Sequence, residues 1–129
     1  KSPRAYLGMM VPQFPNLFIM YGPNSQPVSG GVSLPSWFQI WAAFIAQCLD
    51  TMFEEGHARV AVKEDAFETY NKHLDAVGSE LAFVKDARSV ERNYYVDADG
   101  RLVVNTPHET AELYEMMKTP NRDELEFGS

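Results

Sequence analysis

The apolar positions of the chain form one short unbroken run, one long helical stretch and several shorter amphipathic segments. The unbroken run is Asn16–Tyr21, bounded by Pro15 and Gly22. A run of this kind is typical of a strand that is buried on both faces of a parallel sheet. The rest of the chain does not supply enough parallel strands to enclose it. We therefore expect either another copy of the chain or a sheet outside this sequence to cover it.

A long helix is predicted next, from Pro35 to about Glu55. Ser33 or Ser36 can cap its start, Pro35 suits its first turn, and Gly56 is a natural stop. Its apolar residues cover most of the circumference: Trp37, Phe38, Ile40, Trp41, Phe44, Ile45, Cys48, Leu49, Met52 and Phe53. A helix with so little polar surface is expected to be buried on more than one side.

The second half of the chain predicts a strand and a helix. Ala58–Lys63 alternates as a short strand, and Glu64–Ala76 has helical spacing, with Gly78 as its expected end. The segment Ser79–Phe83 is compatible with either a strand or another helical turn.

A hairpin and a final helix are predicted beyond that point. Arg92–Val96 and Arg101–Asn105 flank the turn Asp97-Ala98-Asp99-Gly100. A capping box, Thr106-Pro107-His108-Glu109, then predicts a third helix from Pro107 to about Lys118. The tail Thr119–Ser129 is polar, and we expect it to be frayed. With these elements the fold class is an α/β or α+β fragment.

The loop Gly22–Leu34 is rich in Gly, Pro, Ser and Asn. This composition suits a flexible connector. It suits equally a loop whose glycines let backbone N–H groups approach a ligand. Because it directly precedes a helix N-terminus, a ligand bound there would carry negative charge or electron-rich oxygens.

Composition favours one folded domain of 129 residues, with 45% hydrophobic and 12% aromatic residues. The formal net charge of −7 gives no reason to expect nucleic acid or an anionic membrane as partner. The single cysteine, Cys48, excludes an intrachain disulfide, suits a small core position and fits a cytoplasmic setting. No apolar run has the length of a membrane span. The first residue, Lys1, is not methionine, which suggests processing or sequence upstream.

Residues for a self-sufficient active site are not evident. None of the three histidines, His57, His73 and His108, has another His, Cys or Asp at metal-binding spacing, so no metal is expected. His57 and His108 are predicted to lie at the surface. The sequence contains no nucleophile elbow, phosphate-binding loop or C-x-x-C pair, and no pair of carboxylates stands out as an acid/base couple.

One long motif resembles a known family. The segment Tyr6–Asn24, YLGMMVPQFPNLFIMYGPN, is similar to the end of the FAD domain in class B flavin monooxygenases, the Baeyer–Villiger and related flavin-containing enzymes. Gln13 stands where the family often has glycine. Arg92-Asn-Tyr-Tyr95 and Gly100-Arg101 resemble an aromatic hairpin of that family, and the stretch from Gly22 through Trp41 looks closest to the 4-hydroxyacetophenone monooxygenase type. The resemblance extends from Tyr6 to about Phe127.

The resemblance implies a fold, an activity and a set of site residues. Residues 1–56 would be the end of a Rossmann-like FAD domain, and residues 57–129 a C-terminal α+β extension. The parent enzyme would use NADPH and FAD to insert oxygen into ketones or to oxidise heteroatoms. Cofactor contacts are expected from Gly22, Pro23, Asn24, Ser25 and Gln26. Val28 and Leu34 are weaker candidates that would face flavin or substrate.

The chain also departs from the family. The glycine fingerprints for FAD and NADPH are absent, so we expect this fragment to be inactive alone and to hold no cofactor. Its expected partner is the rest of the FAD and NADPH domains. The alternative is a stand-alone module without enzymatic activity that associates with itself or a partner. Another two-dinucleotide flavoprotein, such as a disulfide reductase, is disfavoured because a redox cysteine pair is missing.

Overall fold

Three helices and two small sheets make up the part of the chain that the structure describes. The structure is a computed structural model, and it describes residues 2–27, 32–81 and 94–129. The elements in chain order are β1 Gln26–Pro27, α1 Leu34–Glu55, β2 Arg59–Val62, α2 Glu64–Glu80, β3 Asn105–Thr106, α3 Thr110–Met117 and β4 Leu125–Gly128. The predicted α/β or α+β fold class is confirmed. Predictions for Val28, for 82–83 and for the hairpin residues 92–93 lie outside the described residues.

The long helix α1 confirms the prediction at both ends. Ser33 is its N-cap residue, and Gly56 ends it in the left-handed conformation with φ of 72°. One stripe of α1 is buried, at Trp37, Trp41, Phe44, Cys48 and Met52. The opposite side is not covered within the described residues, and Phe53 on it is 82% exposed.

The tail is ordered, so the prediction that it is frayed is wrong. Residues Leu125–Gly128 pair antiparallel with β2, with Val62 opposite Leu125 and Val60 opposite Phe127. Leu125 is buried in the core because its side chain points to the same face as Val60 and Val62. The predicted strand Ala58–Lys63 is thus confirmed in β2, and the tail satisfies the backbone groups along its edge.

The second and third helices differ from prediction at their ends. The helix α2 does not stop at Gly78 but continues to Glu80, since Gly78 is buried against Leu102. The helix α3 begins at Thr110, three residues later than predicted, with Glu109 as N-cap and without a side-chain cap. The capping box therefore does not form, and the Thr106 hydroxyl instead accepts a hydrogen bond from the backbone N–H of His108 (3.4 Å).

The apolar run Asn16–Tyr21 does not form the predicted strand. Both of its ends adopt positive φ, 63° at Asn16 and 62° at Tyr21, which interrupts an extended backbone. Leu17 and Met20 are 44% and 40% exposed. The described residues bring no parallel strand alongside this run, and its side chains stay in contact with solvent.

One hydrophobic core joins the two halves of the chain. Its buried members come from the turn Tyr6–Met10 and from α1, β2, α3 and β4: Tyr6, Leu7, Met9, Met10, Trp37, Trp41, Phe44, Cys48, Met52, Val60, Val62, Leu113, Met117 and Leu125. Burial raises the pKa of the Cys48 thiol to about 12, so this cysteine is a core residue, as predicted. Among the described helices, none is long and apolar enough to cross a membrane.

Candidate functional site

The motif residues fold back on one another through two glycines. The chain turns tightly at Tyr6–Met10, where the Tyr6 N–H donates to the Met10 carbonyl (2.8 Å), and Gly8 has φ of 70°. A Cβ on Gly8 would lie 2.7 Å from the Cβ of Ser25, and a Cβ on Gly22 would lie 2.3 Å from the Gly8 carbonyl oxygen. Both glycines are therefore required by close packing between the turn and the loop.

The side chain of Asn24 forms its hydrogen bonds with groups inside the protein. Asn24 is 2% exposed, and its Nδ2 donates to the carbonyl oxygens of Leu102 (2.8 Å) and Asn105 (2.9 Å). Its Oδ1 accepts a hydrogen bond from Nη1 of Arg101 (3.1 Å). Because both amide donors are used and the side chain is buried, Asn24 fixes the loop to the hairpin and has no donor left for a ligand.

Arg101 is the centre of a buried polar network. Its Nε donates to Asp75 (2.7 Å), its Nη1 to the Pro3 carbonyl (3.0 Å) and its Nη2 to Oδ1 of Asn71 (3.3 Å). The side chain of Arg101 is only 10% exposed. One guanidinium thus joins the chain start, α2, the loop and the hairpin, and its planar set of donors suits this role.

The hairpin that carries Arg101 is confirmed as a turn. Val96 pairs antiparallel with Leu102, and the Asp97 N–H donates to the Arg101 carbonyl (2.9 Å). The Asp97 carboxylate accepts hydrogen bonds from the backbone N–H groups of Asp99 and Arg101 and from the Ser2 hydroxyl. The chain then leaves the hairpin, since β3 pairs in parallel with β1 instead of extending the predicted second strand.

The parallel pair β1–β3 places the end of the loop. Gln26 lies opposite Asn105, whose Nδ2 donates to the Gln26 carbonyl (3.2 Å). Ser25 is buried, and its hydroxyl donates to the carbonyl oxygen of Gly22 (2.6 Å). The Gln26 side chain is half-buried and accepts a hydrogen bond from the Tyr21 hydroxyl (2.9 Å).

The predicted cofactor residues differ in whether their side chains remain exposed. Gly22–Gln26 form one continuous loop, but the side chains of Asn24 and Ser25 point into the protein. Pro23 and Gln26 remain half-buried, and Leu34 at the start of α1 is 39% exposed. Val28 lies outside the described residues.

His108 is buried, which corrects the prediction that it lies at the surface. Its side chain is 1% exposed and lies 3.5 Å, from Nδ1 to Oε2, from Glu112. The ring of His73 on α2 stacks on it at a centroid distance of 5.6 Å. Sequence reasoning missed this group because His73 and His108 are far apart in the chain, although the spacing of four between His108 and Glu112 is visible in the sequence.

Comparison with known proteins identifies monooxygenases. An uncharacterized monooxygenase of Sinorhizobium fredii is 25% identical over 121 residues, covering 94% of this chain and 18% of the relative. An FAD-binding monooxygenase of Aspergillus terreus is 34% identical over 71 residues, covering 55% of this chain and 12% of the relative. The chain thus spans less than a fifth of the length of these relatives. No protein-family model matches it.

Solved structures show the same fold. A steroid monooxygenase bound to NADP superposes with a TM-score of 0.77 at 15% identity, over 98% of this chain and 23% of that one. Cyclohexanone monooxygenase from Rhodococcus sp. Phi1 bound to NADP+ superposes with a TM-score of 0.75 at 16% identity, over 98% and 24%. The chain therefore has the fold of a segment of these enzymes, and the two relatives in sequence are monooxygenases, one of them FAD-binding.

Proposed function

We propose that this chain is the C-terminal segment of an FAD- and NADPH-dependent monooxygenase that inserts oxygen into ketones or oxidises heteroatoms. The observation that carries the proposal is the fold match over 98% of the chain to a steroid monooxygenase of which the chain spans only 23%. The motif Tyr6–Asn24 agrees with it. In this proposal residues 1–56 end the FAD domain, residues 57–129 are its C-terminal extension, and the parent is closest to the 4-hydroxyacetophenone type.

The apolar exterior supports a position inside a larger protein. We use the name apolar surface for Phe14, Leu17, Met20, Tyr21 and Phe38, each between 38% and 59% exposed. Tyr21 contacts Phe38, with ring centroids 6.4 Å apart. Exposed apolar side chains in neighbouring positions are typical of an interaction site. The proposed occupant is the rest of the FAD domain, whose sheet would extend over the run Asn16–Tyr21.

The loop Gly22–Gln26 is proposed to face the flavin. Its shape is set internally by Gly8, Asn24 and Arg101, so it is held in place before any cofactor binds. Pro23 and Gln26 would contact the cofactor, with Asn24 and Ser25 acting through the backbone they position. Val28 and Leu34 would face flavin or substrate. The flavin, when bound, supplies the redox chemistry, and this chain supplies a rigid wall.

The isolated chain is proposed to be inactive and to hold no cofactor. The glycine fingerprints that hold the dinucleotides in such enzymes are not found in its 129 residues. The test is to express both this chain and the longest reading frame that contains it, and to measure bound flavin and NADPH oxidation with a ketone or thioether. The proposal expects flavin and NADPH oxidation in the longer protein only. Stoichiometric FAD in the isolated chain, or a longer protein that binds no flavin, would contradict it.

A second candidate function is a self-associating module without enzymatic activity. The observation that favours it is the same apolar surface, together with Phe53, which is 82% exposed on α1. Light scattering coupled to size-exclusion chromatography separates the two. A stable, concentration-independent dimer of the longer protein with no bound flavin would favour this module, and a flavin-loaded longer protein would reject it.

A further inference from the structure

Three potential metal ligands converge at the contact between α2 and α3. His73 comes from the middle of α2, His108 from the segment before α3, and Glu112 from the first turn of α3. One ligand atom of each residue lies within 4.8 Å of the others. Two imidazoles and one carboxylate are a ligand set that is used in zinc sites with three protein ligands.

The burial of His108 is an independent observation that points to a ligand. Its side chain is 1% exposed, and neither ring nitrogen has a hydrogen-bond partner among the described residues. Leaving a buried polar group unpaired destabilises the folded state, so most such groups have a partner. The Nδ1 atom lies 3.5 Å from Oε2 of Glu112, a long contact that leaves this nitrogen directed toward the cluster.

We propose that His73, His108 and Glu112 form a binding site for a divalent transition-metal ion of the Zn²⁺ class. A tetrahedral ion with ligands at about 2.0–2.1 Å needs ligand atoms about 3.4 Å apart, so the cluster must contract by at most about 1.4 Å. His73 and Glu112 are exposed and can move by that amount, while His108 is held in place. The ion joins α2 to α3, and its fourth position is open to water.

The ligand chemistry selects among metal ions. Imidazole nitrogens favour Zn²⁺, Ni²⁺, Cu²⁺ and Co²⁺, whereas Mg²⁺ and Ca²⁺ prefer oxygen ligands throughout. The site is separate from the loop Gly22–Gln26 and does not depend on the proposed monooxygenase function. A longer protein without flavin would leave this inference unaffected, and a chain that binds no metal would leave the proposed function unaffected.

The test is metal titration of the purified chain after treatment with a chelator. Calorimetry with Zn²⁺ is expected to show one site per chain, Co²⁺ to give visible d–d absorption typical of low coordination number, and Mg²⁺ to show no binding. His73→Ala and Glu112→Gln change exposed side chains, and each is expected to weaken Zn²⁺ binding at least about tenfold. The matched control is His57→Ala, which removes a histidine distant in the chain and should leave binding unchanged.

Circular dichroism of each variant establishes that the fold is intact before binding is compared. If one of the two ligand variants fails to fold, the other carries the test. The inference is overturned if the chain binds no Zn²⁺, or if a folded His73→Ala or Glu112→Gln variant binds Zn²⁺ as tightly as the unchanged chain.

Discussion

The loop Gly22–Gln26 and the apolar surface are neighbours in the chain. They differ in whether their side chains find partners among the described residues. In the loop, Asn24 makes three side-chain hydrogen bonds and Arg101 reaches four partners in the chain start, the loop and α2. In the apolar surface, Leu17, Met20 and Tyr21 are each at least 40% exposed, and the run between them forms no strand. Within the described residues, the loop finds its partners and the apolar surface does not.

This difference separates two roles within a single motif. Contacts inside the chain explain Gly8, Gly22 and Asn24. Gly8 packs closely against Ser25, and Gly22 packs against the carbonyl oxygen of Gly8. Asn24 accepts a hydrogen bond from Arg101. Met9 and Met10 are likewise buried in the core, whereas Leu17 and Met20 remain 44% and 40% exposed and have no such explanation among the described residues. A family motif can therefore combine residues that stabilise a segment with residues that join it to another.

The largest effect is expected from Arg101→Met, which keeps much of the apolar stem and removes the guanidinium. Asn24, Asn71 and Asp75 lose their shared donor, and the free energy of unfolding is expected to fall by about 3 kcal/mol. Urea denaturation measures the change. The control is Arg4→Met, which removes one bond to Asp75 from a side chain 35% exposed and should cost less than about 1 kcal/mol. Equal losses would show that the network is not the anchor.

Gly8→Ala tests the close packing between turn and loop. The new Cβ would lie 2.7 Å from that of Ser25 at a positive φ, and a loss of about 2–3 kcal/mol is expected. Gly56→Ala has nearly the same φ with nothing within 4 Å, so it isolates the backbone cost of about 1 kcal/mol. Thermal unfolding of both variants gives the comparison, and a Gly8 variant no worse than the Gly56 variant would contradict the packing account.

Leu17→Glu tests the apolar surface. Since Leu17 is 44% exposed, stability should change by less than about 0.5 kcal/mol. Concentration-dependent association of the isolated chain should fall, as light scattering would measure. Gln39→Glu adds the same charge at an exposed polar position of α1 and serves as control. If both variants reduce association equally, net charge and not the apolar surface is responsible.

A small stabilising effect is expected at Gln13. Its φ of 67° is unfavourable for a residue that has a Cβ atom. This gives a physical reason for the glycine that often stands here in the family that the motif resembles. Gln13→Gly is expected to raise the free energy of unfolding by about 0.5 kcal/mol. This is the backbone strain that is relieved, less the cost of the greater conformational entropy that glycine gives the unfolded chain. Gln13→Ala keeps the strain and should not stabilise, so a stabilising alanine variant would refute this reason.

The sequence predicted the elements that depend on local chemistry. The bounds of α1 follow from Ser33, Pro35 and Gly56, which act within one turn of the helix ends. The strand β2 follows from alternation alone. The closing turn of the hairpin follows from Asp97 and Gly100, the latter at φ of 74°.

The remaining features depend on contacts between distant residues. The tail is polar on average, but its pairing with β2 requires only Leu125 on the buried face. Gly78 does not end α2, because Leu102 packs against it from the hairpin. His108 is buried against α2, which the local pattern around it does not indicate. The inward direction of Asn24 is likewise decided by Arg101, seventy-seven residues later.

Amide hydrogen exchange of the run Leu17–Tyr21 shows whether further sequence covers this segment. The measurement compares the isolated chain with the product of the longest reading frame that contains it. The amides of Leu17 and Ile19 donate to Phe14 and Met9 within the chain, so the comparison uses the amides of Phe18, Met20 and Tyr21. We expect these amides to exchange rapidly in the isolated chain, where the run forms no strand, and to be strongly protected in the longer protein, where a sheet covers it. Equally rapid exchange in both proteins would contradict the claim that this segment is completed by the rest of a flavin monooxygenase.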